Sequence, residues 1–71
     1  MKGARGKLMK TYALAIRKEC PSEYESPILI IKRGLSAIEA RGKAEAMNRT
    51  HMPECKALGG VAFVAYNLAA Q

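Results

Sequence analysis

The chain has 71 residues and a net charge of +6, from twelve Lys and Arg against six Glu and no Asp. A domain this short buries only about 60% of the surface its unfolded form exposes, which leaves little room for a deep catalytic cleft. Hydrophobic residues make up 49%, with Tyr12, Tyr24, Phe63 and Tyr66 as the aromatics; this excludes a disordered tail and points to one small globular domain.

Residues 1–8 read as a flexible basic arm, because Lys2, Arg5 and Lys7 stand there among two glycines with no periodicity. The remainder, 9–71, reads as a single α+β domain with a smaller positive balance. Positive charge favours acidic partners such as nucleic acid, anionic lipid or an acidic protein face without choosing among them. Met9 is either a second start or the first residue of the ordered domain. The apolar stretch 12–16 is shorter than the roughly 7 to 15 residues of a secretory h-region, and Arg17-Lys18-Glu19 ends it. No run approaches the roughly 18 to 20 apolar residues that span a bilayer, so the expected location is cytoplasmic.

Over residues 10–17, Tyr12, Leu14 and Ile16 alternate with Thr11, Ala13 and Ala15. Period two with small residues opposite predicts a strand that packs on its larger side. Residues 18–27 hold two prolines, three glutamates and two serines and read as a loop. The apolar run 28–31 follows, bounded by Pro27 and by Lys32-Arg33-Gly34. A proline at the start suits an edge strand, since it donates nothing to a ladder.

Ser36-x-x-Glu39 is a capping box that starts a helix running to about Thr50. Ala37, Ala40, Ala44 and Met47 recur on one helical face, with His51 continuing the line. Three of those four positions are alanine, so the helix can approach a sheet closely. Gly42 falls on the outer side. Pro53 bounds the helix, residues 54–60 read as a second loop, and 61–68 read as a strand in which Val61, Phe63 and Ala65 alternate with Ala62, Val64, Tyr66 and Leu68.

The expected fold is a β-β-α-β domain: a three-stranded, mostly antiparallel sheet in order 2-1-3, with one helix packed on one face. A β-α-β unit makes the second and third strands parallel to each other, so the first fits between them, antiparallel to both. One helix covers one face, yet the second and third strands carry large apolar side chains on both. Either Leu29 and Ile31 or Ile28 and Ile30 must face away from the helix, and likewise Phe63 or Val64 and Tyr66. Such an uncovered face usually marks an interaction site. The candidate face is Leu29, Ile31, Val64 and Tyr66, joined by Ile38, which sits off the alanine line. The expected partner is a protein or a second copy of the chain.

Candidate chemistry is thin. Cys20 and Cys55, each near a proline in an expected loop, read as free thiols rather than a bridge. With His51 they give three soft ligands, one short of a structural zinc site and without a Cys-x-x-Cys pair, so no metal is expected. His51 is the only histidine; its place at a helix C-terminus has a simpler electrostatic reason, and no Asn or Asp is aligned to orient a Cys-His dyad. Glu19, Glu23 and Glu25 cluster in a solvated loop, where nothing splits two carboxyl pKa values. The segment Gly3-Ala4-Arg5-Gly6-Lys7 lacks the spacer and hydroxyl residue of a phosphate loop. Asn48-Arg49-Thr50 matches a glycosylation acceptor by chance.

The residues therefore point to a non-enzymatic interaction protein, of regulator or inhibitor type, with no cofactor. In size and style a compact basic chain of this kind resembles accessory proteins of phages and mobile elements, with no motif behind the likeness. The alternative is a nucleic-acid-binding accessory protein whose phosphate contacts are Lys2, Arg5, Lys7, Lys32 and Arg33. Against it, the basic residues are dispersed, Phe63 and Tyr66 point to opposite faces instead of forming one stacking platform, and no helix-turn-helix pair is present.

Overall fold

The structure, a computed structural model, describes residues 10–19 and 21–70. The expected arm, with Lys2, Arg5 and Lys7, lies outside the described residues, as do Met9 and Cys20. Strand β1 spans Tyr12–Lys18, β2 Ile28–Leu35 and β3 Gly60–Asn67; helix α1 spans Ala37–Thr50 and α2 Met52–Ala57, and a 3-10 turn follows at Leu68–Ala70. The sheet order is β2-β1-β3, with β1 antiparallel to both neighbours. This is the expected small α+β architecture, with a second helix added. Among the described residues no helix is long and apolar enough to cross a membrane.

The alternation along β1 sets the layers. Leu14 and Ile16 are buried beside Phe63, Leu35, Ala40, Ala44 and Cys55, with Tyr12, Leu29, Met47, Met52 and Ala65 packed at the margin. Both helices lie on this side of the sheet. Each fully buried Leu, Ile or Phe is worth roughly 1.5–3 kcal/mol, whereas the buried face of α1 consists of Ala40 and Ala44. Sheet side chains therefore supply most of the burial energy, and the alanines supply close approach.

The capping box forms as the sequence predicts. Glu39 N–H donates to Ser36 Oγ at 3.2 Å, and Ser36 N–H donates to Glu39 Oε1 at 2.9 Å. The Lys10 ammonium reaches the same Oε1 at 3.2 Å. Glu39 is held below the usual glutamate range, first by the Ser36 backbone donor and then by the Lys10 hydrogen bond and charge. A lowered folded-state pKa gives stability that is fully present above the unfolded value and is lost as pH falls through the folded one. Ser36→Ala should cost about 1 kcal/mol in urea unfolding at neutral pH. Glu39→Gln should remove the part of the acid sensitivity that appears below the ordinary glutamate pKa of 4.5; an unchanged pH profile would exclude this assignment.

Two expectations need correction. The second strand does not stop before Lys32 but continues to Leu35. It does so by bulging twice: its register against β1 shifts between the pairs Leu14 to Lys32 and Ala15 to Ile30, and again between Tyr12 to Leu35 and Leu14 to Lys32. Gly34, at φ +75°, takes a left-handed conformation costly to other residues within the second irregularity. The extra residues let Leu35 return to the core.

Residues 54–60 are not one loop, because α2 occupies Met52–Ala57. Pro53 sits in the first turn of α2, where a missing N–H breaks no intrahelical bond. It thus bounds α1 and begins α2. Cys55 is the free thiol expected, but it stands on α2 and not in a loop, with its side chain fully buried.

Candidate functional site

Cross-strand partners in an antiparallel pair point to the same side of the sheet, so the register assigns every strand residue to a face. Ile16 stands opposite Leu29 and Phe63, and Leu14 opposite Ala65, on the helix side. Ala15 stands opposite Ile30 and Val64, Ala13 opposite Tyr66, and Arg17 opposite Ile28 and Ala62, on the other side. The expected face is corrected accordingly. Val64 and Tyr66 share the open side with Ile28 and Ile30, while Leu29 packs against the core on the helix side.

The open side has relief. Its middle strand contributes Ala13 and Ala15, both 0% exposed. A groove of about 350 Å³ runs along this side, lined by Ser26, Ile28, Ile30, Arg33, Tyr66 and Leu68.

Ile31 and Ile38 lie elsewhere. Ile31, displaced by the first bulge, is 45% exposed. It lines a separate groove of about 300 Å³ on the helix side with Leu14, Lys32, Lys43, Ala46 and Met47. That groove exists because α1 sits over β1 and β3 and scarcely reaches β2. Ile38, 75% exposed on α1, joins neither groove. Lys32 and Arg33, adjacent in sequence, thus line grooves on opposite sides of β2.

Sheet edges offer less than the open face. Along the outer edge of β3, Phe63 N–H donates to Asn48 Oδ1 at 2.7 Å and Asn48 Nδ2 donates to the Phe63 carbonyl at 3.0 Å. One α1 side chain thus takes the place of a neighbouring strand. At the other edge, β2 carries two bulges, follows Pro27, and presents Lys32 and Arg33. Bulges, proline and basic residues all hinder strand addition.

His51 and Cys55 are not assembled into a dyad. The His51 ring is exposed, with Nδ1 2.6 Å from Thr50 Oγ1, whereas Cys55 is buried in the core. No group of three or more His, Cys, Asp and Glu side chains converges among the described residues. Sequence reasoning missed Asn48 as a bridge between helix and strand. It also left Ile28 and Ile30 as one of two face assignments; the small residues Ala13 and Ala15, against large ones at Tyr12, Leu14 and Ile16, were the signal for which side of β1 faces away from the helices. Comparison with protein-family models, with curated proteins and with solved structures finds no match.

Proposed function

We propose that this chain is a small non-enzymatic interaction module that holds a protein partner on the open face of its sheet. One observation carries the reading: both helices pack on the side of Leu14, Ile16 and Phe63, while Ile28, Ile30, Val64 and Tyr66 gather on the other, where a groove of about 350 Å³ runs. Apolar surface arranged contiguously around a concavity is the usual mark of a docking site. The two guarded edges favour docking through the face over strand addition. The nucleic-acid alternative has less support, because the described basic residues are divided between the two sides of the sheet.

The test is affinity capture from a lysate with and without nuclease, comparing the native chain with an Ile30→Thr, Val64→Thr double variant. Threonine keeps the β-branching that suits a strand while removing apolar contact, so two such changes at half-buried sites should cost about 1–3 kcal/mol of stability in total, and circular dichroism checks that the variant is folded. A protein retained by the native chain after nuclease treatment and lost by the variant is the expected result. Retention abolished by nuclease assigns the surface to nucleic acid, and equal retention by the variant rules out the open face.

A further inference from the structure

We propose that α2 is a hinged cover, which opens as a unit and uncovers Ile16 and the Cys55 thiol while α1 and the sheet stay in place. The helix has six residues, fewer than two turns, and a helix that short does not hold by itself in water. It therefore depends on its seat, and the seat is narrow. Cys55 is the one α2 side chain fully buried, Met52 packs at the core margin, and Pro53, Glu54, Lys56 and Ala57 are exposed. His51 gives α2 no side-chain cap. Among the described residues, no side-chain hydrogen bond or ion pair ties α2 to the rest of the fold. By contrast, α1 carries the capping box, the Lys10 ion pair and the Asn48 bridge to β3. Elements that bury few apolar groups are the ones that open locally, at less than the cost of global unfolding.

Both ends of the cover are pinned by bonds that its opening leaves intact. At the α1 end, His51 N–H donates to the Met47 carbonyl at 2.7 Å, and at the β3 end, Glu19 N–H donates to the Gly59 carbonyl at 3.0 Å. Between these pins, opening breaks bonds that belong to α2 and its cap, such as Cys55 N–H to the His51 carbonyl at 3.2 Å and Gly59 N–H to the Lys56 carbonyl at 3.0 Å. The freed groups reach water, so their release costs far less than orphaning a buried bond. Gly59 supplies the pivot, because it has no side chain and nothing lies within 4 Å of where a β-carbon would be. Beneath the cover, a β-carbon at Gly60 would overlap Ile16 Cγ2 and lie 2.8 Å from Cys55 Sγ. The Cys55 side chain thus closes over Ile16 and the start of β3, and lifts away with α2.

The test is the reaction of Cys55 with dithiobis(nitrobenzoate) in a Cys20→Ser chain, where Cys55 is the remaining thiol. Labelling should run roughly 10²–10³-fold slower than in the urea-unfolded chain and stay nearly constant with urea until the unfolding transition begins. Asn48→Ala in the same background supplies the decisive comparison, since it removes the bridge from α1 to β3 and leaves α2 untouched. Its labelling rate should stay within about twofold of the parent while its unfolding constant rises roughly tenfold or more. Amide hydrogen exchange of the native chain gives a readout free of substitutions: the Cys55 and Gly59 amides should exchange well before those of Leu14 and Ile16 in β1. A labelling rate that climbs with urea throughout, and climbs in Asn48→Ala by the same factor as the unfolding constant, means that Cys55 is reached through global unfolding and overturns the proposal. So does exchange of the Cys55 amide in step with that of Leu14. Labelling as fast as in the unfolded chain overturns it as well, because α2 then covers nothing.

Discussion

Gly60→Val is expected to abolish the cooperative fold, and Gly60→Ala to cost about 2–3 kcal/mol. A β-carbon at Gly60 would overlap Ile16 Cγ2, lie 2.8 Å from Cys55 Sγ and stand 3.1 Å from the Cys55 carbonyl oxygen. None of these neighbours can withdraw easily: Ile16 and Cys55 are the largest fully buried side chains, and the carbonyl belongs to α2 itself. A domain of this length has a total stability of roughly 4–10 kcal/mol, so valine consumes most of the margin. The alanine variant should unfold some 10–20 °C lower by circular dichroism, given about 4–8 °C per kcal/mol for a domain of this size.

Gly59 supplies the control. Nothing lies within 4 Å of where its β-carbon would be, but its φ of +79° is left-handed. Gly59→Ala should therefore cost about 1 kcal/mol from backbone strain alone, less than Gly60→Ala. The reverse order would mean that α2 does not press on the start of β3. Adjacent identical residues thus have different tasks, one turning the chain out of α2 and the other letting it pass close beneath.

Asn48→Ala is the second large effect, expected at about 1–3 kcal/mol because it leaves both a donor and an acceptor of Phe63 without their partner in a partly buried setting. Asn48→Asp should be less harmful below the carboxyl pKa than above it. A protonated acid can both accept from the Phe63 N–H and donate to the Phe63 carbonyl, while a carboxylate only accepts. Urea unfolding at pH 3.5 and 7 reads the difference, and equal destabilisation by Asp and Ala at both values would exclude the two-bond bridge. Removing Asn48 also frees the outer edge of β3, so faster aggregation at elevated concentration should accompany the loss of stability.

Much of this architecture is legible in the sequence because it rests on local rules. The alternation of Tyr12, Leu14 and Ile16 with alanines fixes which side of β1 is buried. Ser36 and Glu39 mark the start of α1 through a reciprocal hydrogen bond four residues wide. Charged ends and an apolar middle place β1 between its neighbours. Each of these signals depends on residues close in the chain, where spacing alone determines geometry.

The second helix was harder to read. Met52–Ala57 is too short to show periodicity, and Pro53 ends one helix as readily as it opens another; burial of Cys55 against Gly60 and Ile16 decides between them. The continuation of β2 was hidden for a related reason, since a bulge breaks the alternation that would reveal a strand.

Composition, pattern and capping by themselves determined one small basic α+β domain, its strand order and the presence of apolar side chains on both sides of its outer strands. Only the tertiary structure decided which of them turn toward the helices, because a strand apolar on both sides has no internal reason to turn either one inward. The pairing of Ile16 with Leu29 and Phe63 sends Leu29 to the core. The same register sends Ile28, Ile30, Val64 and Tyr66 to the side away from the helices, together with Ala13, Ala15 and Arg17.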